Sequence, residues 1–144
     1  MAETVKPETS EQVVEAIAWA TNEEAPVEIV GTGTKRGFGR PTGDGNRTIE
    51  HTIDLSGLSG ITLYEPEELV LSAWAGTPMT DIEAAVAERG QMLAFEPPRL
   101  ARLYGLEGGT LGGMIACNLA GPRRVKAGAA RDHILGIEAV TGRG

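Results

Sequence analysis

The sequence predicts an α+β fold. Helical spacing with clear start signals appears near residues 10–22 and 77–90, and several short apolar segments between and after them have strand-like patterns. These segments do not follow a strict β-α-β alternation, which favours mixed sheets with segregated covering helices. At 144 residues, 41% of them hydrophobic, the chain can bury a real core.

The first predicted unit, about residues 1–57, is β-rich with one covering helix. Thr9 and Gln12 fit a capping box at the start of an amphipathic helix over about residues 10–22. The apolar stretch Val27–Val30 predicts a buried strand. Thr48–Leu55 alternates between apolar and polar residues and predicts a half-buried strand.

The second predicted unit, about residues 58–144, begins with two strands, Ile61–Tyr64 and Glu68–Ala75, joined by a turn at Pro66. A helix follows, with Thr77 as its cap and Pro78 at its first position, and Gly90 ends it. The later predicted elements are a strand at Gln91–Phe95, a short helix at Leu111–Leu119 and a strand at Ile134–Val140, closed by a turn at Thr141–Gly144.

Composition excludes several classes of protein. The net charge is −7, made of −11 from residues 1–98 (6 Lys/Arg, 17 Asp/Glu) and +4 from residues 99–144 (7 Lys/Arg, 3 Asp/Glu). An acidic body argues against nucleic acid as a partner. The single cysteine, Cys117, can form neither an internal disulfide nor a metal site. No membrane span or signal peptide is recognisable, so we expect a cytoplasmic location.

The most informative motif is the loop Gly31–Pro41, which directly follows the strand Val27–Val30. Its glycines leave backbone N–H groups uncovered, and Lys35 and Arg36 add positive charge, so the loop suits a pyrophosphate. The alternative is a flexible surface loop. No Walker A string occurs. The G-x-G-x-x-G dinucleotide fingerprint is also excluded, because Arg36 stands at the position of its third glycine and no helix can begin among the glycines up to Gly45.

A second glycine-rich segment spans Gly105–Asn118. Gly112 and Gly113 lie in the first turn of the predicted helix, where each glycine costs about 1 kcal/mol relative to alanine. Two explanations remain open. A ligand could approach the helix N-terminus, or the helix could pack tightly on a sheet.

Together, these segments resemble the FAD-binding, PCMH-type domain of the vanillyl-alcohol oxidase flavoprotein family. The resemblance rests on the strand followed by GTGTKRGFGRP, on LSGITLYEPEELVLSAWAGTPMTDIEAAVAERGQMLAFEPP, on GGTLGGMIACNLAGPRR and on GAARDHILGIEAVTGRG. It covers the chain from about Pro7 to Gly144. Within the family, the chain resembles in particular the smaller FAD-binding subunits of bacterial glycolate oxidases. It implies two small α/β subdomains.

The resemblance also implies which residues bind FAD. The first loop would hold the pyrophosphate, the second segment would pass near the pyrophosphate and the flavin, and a G-x-x-R-D-x-I stretch would flank the ribose and adenine. The implied residues are Gly31, Thr32, Gly33, Thr34, Lys35, Arg36, Gly37, Phe38, Thr110, Gly112, Gly113, Asn118, Gly128, Arg131, Asp132 and Ile134. The first loop has no histidine or cysteine, so we expect non-covalent FAD. His51 and His133 are expected to be surface or core imidazoles, and Cys117 a buried small hydrophobe.

The implied activity is oxidation of a small 2-hydroxy acid, glycolate to glyoxylate, with electrons passing to FAD. Relatives continue into a cap domain, so we expect this sequence to be the N-terminal portion of a longer protein, inactive alone and without identifiable catalytic residues. The implied partners are a larger FAD subunit and an iron–sulfur subunit, through which the protein could attach to the inner membrane. Alternatives are a non-catalytic FAD-holding or assembly subunit, or an FAD domain like that of cell-wall-precursor reductases, which the stretch from Thr62 to Pro98 disfavours.

Overall fold

The first sheet is parallel and has three strands, of which the third along the chain lies in the middle. A computed structural model of the chain describes residues 3–39, 49–98 and 108–142. The three strands are β1 (Glu3–Val5), β2 (Val27–Val30) and β3 (His51–Asp54). Among the described strands β2 lies at the edge of this sheet, and Ile29 on it is 57% exposed. The predicted strand is therefore confirmed in its bounds, but the expectation that it is buried was wrong, because only β3 pairs with it among the described strands.

Helix α1 (Ser10–Asn22) has the predicted bounds. It buries Ile17 and Ala20, and the ring of Trp19 meets that of His51 edge-on with centroids 4.9 Å apart. The Thr9 hydroxyl accepts the N–H of Gln12 at 3.3 Å, as predicted. The Gln12 side chain accepts the N–H of Glu8 at 2.7 Å, one residue before the expected partner.

The second sheet is the antiparallel hairpin of β4 (Ile61–Glu65) and β5 (Val70–Ala73). Both predicted strands are confirmed, although β5 is shorter than the predicted Glu68–Ala75. Leu69 in the hairpin turn has the left-handed φ of +58°, and β5 begins at the next residue, Val70, rather than at the predicted Glu68.

Helix α2 (Met79–Ala87) follows, and Gly90 at φ +68° lies just beyond its end. The prediction that Thr77 caps this helix was wrong. The fully buried Thr77 hydroxyl instead accepts the N–H of Gly60 at 2.9 Å and donates to its carbonyl at 3.1 Å, tying the start of the hairpin to the start of the helix.

Two predicted strands are absent from the described residues. Gln91–Phe95 forms no strand, because the Gln91 N–H bonds the last turn of α2 at Val86 and the Gln91 side chain bonds the hairpin at Tyr64 and Pro66. Ile134–Val140 forms no strand and pairs with no described strand, and Leu135 is 84% exposed and Ile137 74% exposed.

The predicted helix after the second glycine segment is observed as α3 (Leu111–Ala116), shorter than the predicted Leu111–Leu119. A short helix α4 (Arg124–Ala127) and a 3₁₀ turn (Ala130–His133) come after it. The main core cluster joins α2, α3 and the 3₁₀ turn with the segment after Gly90, through Met79, Ile82, Phe95, Met114 and Ala130.

The predicted α+β class is confirmed, with mixed sheets and covering helices. Parts of the notable sequence motifs lie outside the described residues: Thr48, the glycine run from Arg40 to Gly45, residues 105–107 of the second glycine segment, and the last two residues of the predicted turn Thr141–Gly144. The division into two subdomains near residue 57 stays a prediction.

Candidate FAD site

The two glycine-rich segments, far apart in sequence, lie against each other. A Cβ built on Gly31 would lie 2.8 Å from Thr110 Cγ2 and would overlap the Thr110 hydroxyl. The Thr32 hydroxyl donates to the Gly108 carbonyl at 3.1 Å. The first loop can approach the second segment this closely only because Gly31 has no side chain.

Four consecutive backbone donors of the first loop have no partner among the described residues. The N–H groups of residues 32–35 donate to no acceptor within the described ranges, although the next turns close with Arg36 N–H to Gly33 carbonyl at 3.4 Å and Phe38 N–H to Lys35 carbonyl at 2.9 Å. Gly33 has φ +68°, so the chain reverses its curvature in the middle of this run. Consecutive amides in such a turn form a concave anion-binding surface.

Lys35 extends from this loop across the second segment. Its ammonium lies directly over Gly109, where a Cβ would collide with Nζ, and 3.6 Å from the position that a Cβ would take on Gly113. The ammonium donates to the Thr34 hydroxyl at 3.4 Å, and no described carboxylate forms an ion pair with it. Burial lowers the pKa of Lys35, and a smaller electrostatic interaction with Cys117 acts in the opposite direction. A half-buried cation without a counter-ion is a site where an anion would be stabilised.

Arg36 points elsewhere. Its guanidinium forms a two-point ion pair with the Glu28 carboxylate, with Nε–Oε1 at 2.8 Å and Nη2–Oε2 at 2.9 Å. This pair raises the pKa of Arg36 above its already high ordinary value. The two adjacent cations of the loop therefore have different surroundings: Arg36 pairs with a carboxylate, and Lys35 has no carboxylate partner among the described residues.

The N-terminus of α3 has no such free donors. The N–H groups of Leu111 and Gly112 donate to the carbonyls of Thr77 and Ala75 at 2.9 and 2.8 Å, and the N–H of Gly113 donates to the Thr110 hydroxyl at 3.4 Å. The expectation that these amides add phosphate donors therefore has no support in the geometry, because protein acceptors already occupy them.

The two glycines at the start of α3 have different explanations. A Cβ on Gly112 would lie 2.9 Å from Ala75 Cβ and 3.0 Å from the Ala75 carbonyl oxygen, so Gly112 permits close packing of the helix against the hairpin. Gly113 lies beside the Lys35 ammonium. Of the two explanations left open by the sequence, tight packing accounts for Gly112, while Gly113 borders the open anion-binding surface.

The third predicted stretch uses its polar groups internally. Gly128 has φ +87°, and the Asp132 carboxylate next to it accepts the Ala129 N–H at 2.8 Å. Asn118, at φ +48°, accepts the Arg131 N–H through its side chain at 3.1 Å, which ties this stretch to the end of α3. No hydrogen bond or ion pair joins this stretch to the first loop in the described part of the chain.

The remaining predicted residues are exposed or half-buried. Gly37 and Phe38 are exposed, with Phe38 48% accessible, and Ile134 is half-buried. Cys117 is exposed, so the expectation of a buried thiol was wrong: α3 ends at Ala116, before its next turn could cover that side chain. His51 contacts Trp19, and a His133 ring nitrogen lies 2.8 Å from the Ala127 carbonyl.

Two residues of the site were missed at the level of sequence. Gly109 lies under the Lys35 ammonium, and the signal for it was present in the glycine run. Glu28 pairs with Arg36, and no sequence signal distinguished it from other surface glutamates. Across the described ranges, no group of three or more His, Cys, Asp or Glu side chains could hold a metal ion.

Free amides at residues 32–35, a lysine without a described counter-ion and a glycine-lined floor give this α+β domain the features of an anion-binding site. The chain belongs to the FAD binding domain family, whose model matches residues 1–144. FAD is accordingly its cofactor, and the PCMH-type resemblance is confirmed.

Comparison with curated proteins finds relatives among flavin-linked oxidoreductases. The chain is 43% identical over 135 residues to the glycolate oxidase subunit GlcE of Escherichia coli, covering 94% of this chain and 35% of that protein. It is 32% identical to a D-lactate dehydrogenase of Archaeoglobus fulgidus, covering 94% of this chain and 28% of the relative. The chain thus spans about a third of the length of these relatives.

Solved structures of alkyldihydroxyacetonephosphate synthase share the fold. Two of them match with TM-scores of 0.66 and 0.68 at 20% identity, covering 90% and 92% of this chain and 23% of each synthase chain. At that identity the match shows the architecture alone.

Proposed function

We propose that the first glycine loop binds the diphosphate of FAD, with Lys35 as its main cationic contact. The observation that carries this proposal is the run of unpaired N–H groups at residues 32–35 beside an ammonium that has no described counter-ion. Gly109 and Gly113 form the floor on which the diphosphate and the Lys35 side chain meet. FAD is held non-covalently, since this loop offers no side chain for attachment.

The protein as a whole is proposed to oxidise a small 2-hydroxy acid. Bound FAD supplies the two-electron acceptor for conversion of the hydroxyl-bearing carbon to a carbonyl, glycolate to glyoxylate. Support comes from the 43% identity to a glycolate oxidase subunit and from the lactate dehydrogenase relative. The contribution of the residues described here is to bind and orient the cofactor.

A second candidate function is cofactor holding without turnover. The GlcE relative is a subunit of an oxidase, so this protein is proposed to work with partner chains, among them a larger FAD subunit and an iron–sulfur subunit. In this role it could hold FAD for electron transfer or assembly while a partner binds substrate.

Within the described ranges, every helix is too short or too polar to span a bilayer.

The cofactor proposal is tested by titrating the complete gene product with FAD and following flavin fluorescence. Saturable binding that inorganic pyrophosphate weakens is expected. Binding of riboflavin with the same affinity as FAD would contradict the diphosphate contact.

The substrate proposal is tested by adding glycolate, D-lactate or L-lactate anaerobically to the FAD-loaded protein. Bleaching of the visible flavin bands by glycolate is expected. If bleaching requires a co-purified partner, the cofactor-holding role is favoured. If none of the three acids bleaches the flavin with or without partners, oxidation of these acids is excluded.

A further inference from the structure

The two-point pair between Glu28 and Arg36 has no obvious role in the sheet. Glu28 lies on the edge strand β2, opposite Thr52 on β3, and its side chain is 30% exposed. Arg36 lies eight residues later, on the far side of the loop, with 59% of its side chain exposed. The pair therefore joins the strand that enters the loop to the turn that leaves it.

The path of the Arg36 side chain crosses the loop itself. A Cβ on Gly33 would lie 3.6 Å from Nη1 of Arg36, so the guanidinium lies over the left-handed glycine in the middle of the free-amide run. The Arg36 N–H also donates to the Gly33 carbonyl. Residues 32–35 are therefore enclosed between this backbone bond and the ion pair of Arg36 with Glu28. A two-point arginine–carboxylate pair fixes orientation as well as distance.

We infer that Arg36 is a positioning residue, which holds the free amides of residues 32–35 in place through Glu28, while Lys35, of these two cations, supplies the side-chain charge for the diphosphate. This inference rests on the proposed function. It departs from the expectation that both cations of the loop contact the phosphates.

The two roles predict opposite results for Glu28→Gln. If Arg36 were a phosphate ligand, removing the competing carboxylate would leave its guanidinium free and FAD would bind more tightly. If Arg36 positions the loop, the same change weakens FAD binding, by about fivefold for a pair this exposed.

The experiment measures the FAD dissociation constant of the complete gene product for Glu28→Gln, Arg36→Lys and the exchanged pair Glu28→Arg with Arg36→Glu. Weaker binding in both single variants and recovery in the exchanged pair are expected, because the exchange restores the ion pair while placing a carboxylate at position 36. Glu67→Gln, in the exposed hairpin turn, is the matched control for loss of one negative charge.

The pH dependence of FAD affinity provides a second readout. Deprotonation of Lys35 is expected to lower FAD affinity as pH rises. Glu28→Gln should retain this decline, because Lys35 is unchanged, whereas a general loss of structure would remove binding at every pH. Tighter binding in Glu28→Gln, or no recovery in the exchanged pair when its melting temperature matches wild type, would overturn the positioning role. Absence of FAD binding by the wild-type protein would instead overturn the proposed function and this inference with it.

Discussion

The two glycine-rich segments meet at one place but use their backbone groups differently. In the first loop the N–H groups of residues 32–35 have no described acceptor, whereas at the start of α3 the N–H groups of residues 111–113 are all occupied by protein oxygens. The glycines of the first loop expose donors, while Gly112 in the second segment permits close packing. Glycine content alone therefore does not identify the surface that binds a phosphate.

The largest effect is expected for Gly31→Ala, which breaks the contact between the two segments. The new methyl group would overlap Thr110, and overpacking of this kind costs about 1–3 kcal/mol of stability. If the loop moves away to relieve the clash, FAD affinity falls by up to about a hundredfold, the equivalent of that energy. Fluorescence titration and thermal unfolding check both.

Gly136→Ala is the control for this change, because a Cβ there would have no atom within 4 Å and Gly136 is not among the residues implied to bind FAD. It should alter neither FAD affinity nor melting temperature. Equal behaviour of the two alanine variants would show that the segments do not need the close approach.

Lys35→Met tests the unpaired cation of the first loop. Loss of a hydrogen bond from a charged group is expected to weaken FAD binding by about 10- to 100-fold. Without FAD the melting temperature should not fall, because burial disfavours the charged form of Lys35. Lys6→Met, at an exposed lysine, is the control, and undiminished FAD binding in Lys35→Met would exclude the proposed contact.

Gly112→Ala tests the second segment. The Cβ would press on Ala75, so up to about 2 kcal/mol of stability should be lost after allowing for the better helix propensity of alanine. FAD affinity, measured well below the melting temperature, should change little, because this glycine contributes packing. A large loss of affinity in a folded variant would mean that the second segment contacts the ligand more directly than its amide bonding indicates.

The smallest effect is expected from pH. The pKa of Lys35 is lowered in the free protein, and a bound diphosphate would raise it again. The contribution of Lys35 to affinity is therefore complete below the pKa in the free protein and is lost as pH rises from that pKa to the pKa in the complex. FAD affinity should fall at lower pH than an ordinary lysine would dictate, and the decline should be absent in Lys35→Met.

Local sequence signals determined much of the architecture. Thr9 and the spacing after it gave the bounds of α1, and Gly90 marked the region where α2 ends. An apolar stretch located β2, alternation of apolar and polar residues located β3, and two short segments joined by a turn at Pro66 located β4 and β5. These signals act over a few residues, so they can be read without knowing what lies across the fold. They failed for Gln91–Phe95, where Leu93 and Phe95 pack at the core without a partner strand.

The sequence alone also indicated FAD, through four ordered motifs, and pointed to the first loop as a phosphate site. Tertiary structure decided which donors remain available. Whether an amide or a cation is free depends on acceptors brought in from elsewhere in the chain: the Thr77 and Ala75 carbonyls accept the helix amides, the Glu28 carboxylate pairs with Arg36, and no described carboxylate pairs with Lys35. Those pairings join residues up to several tens of positions apart, and no local pattern encodes them.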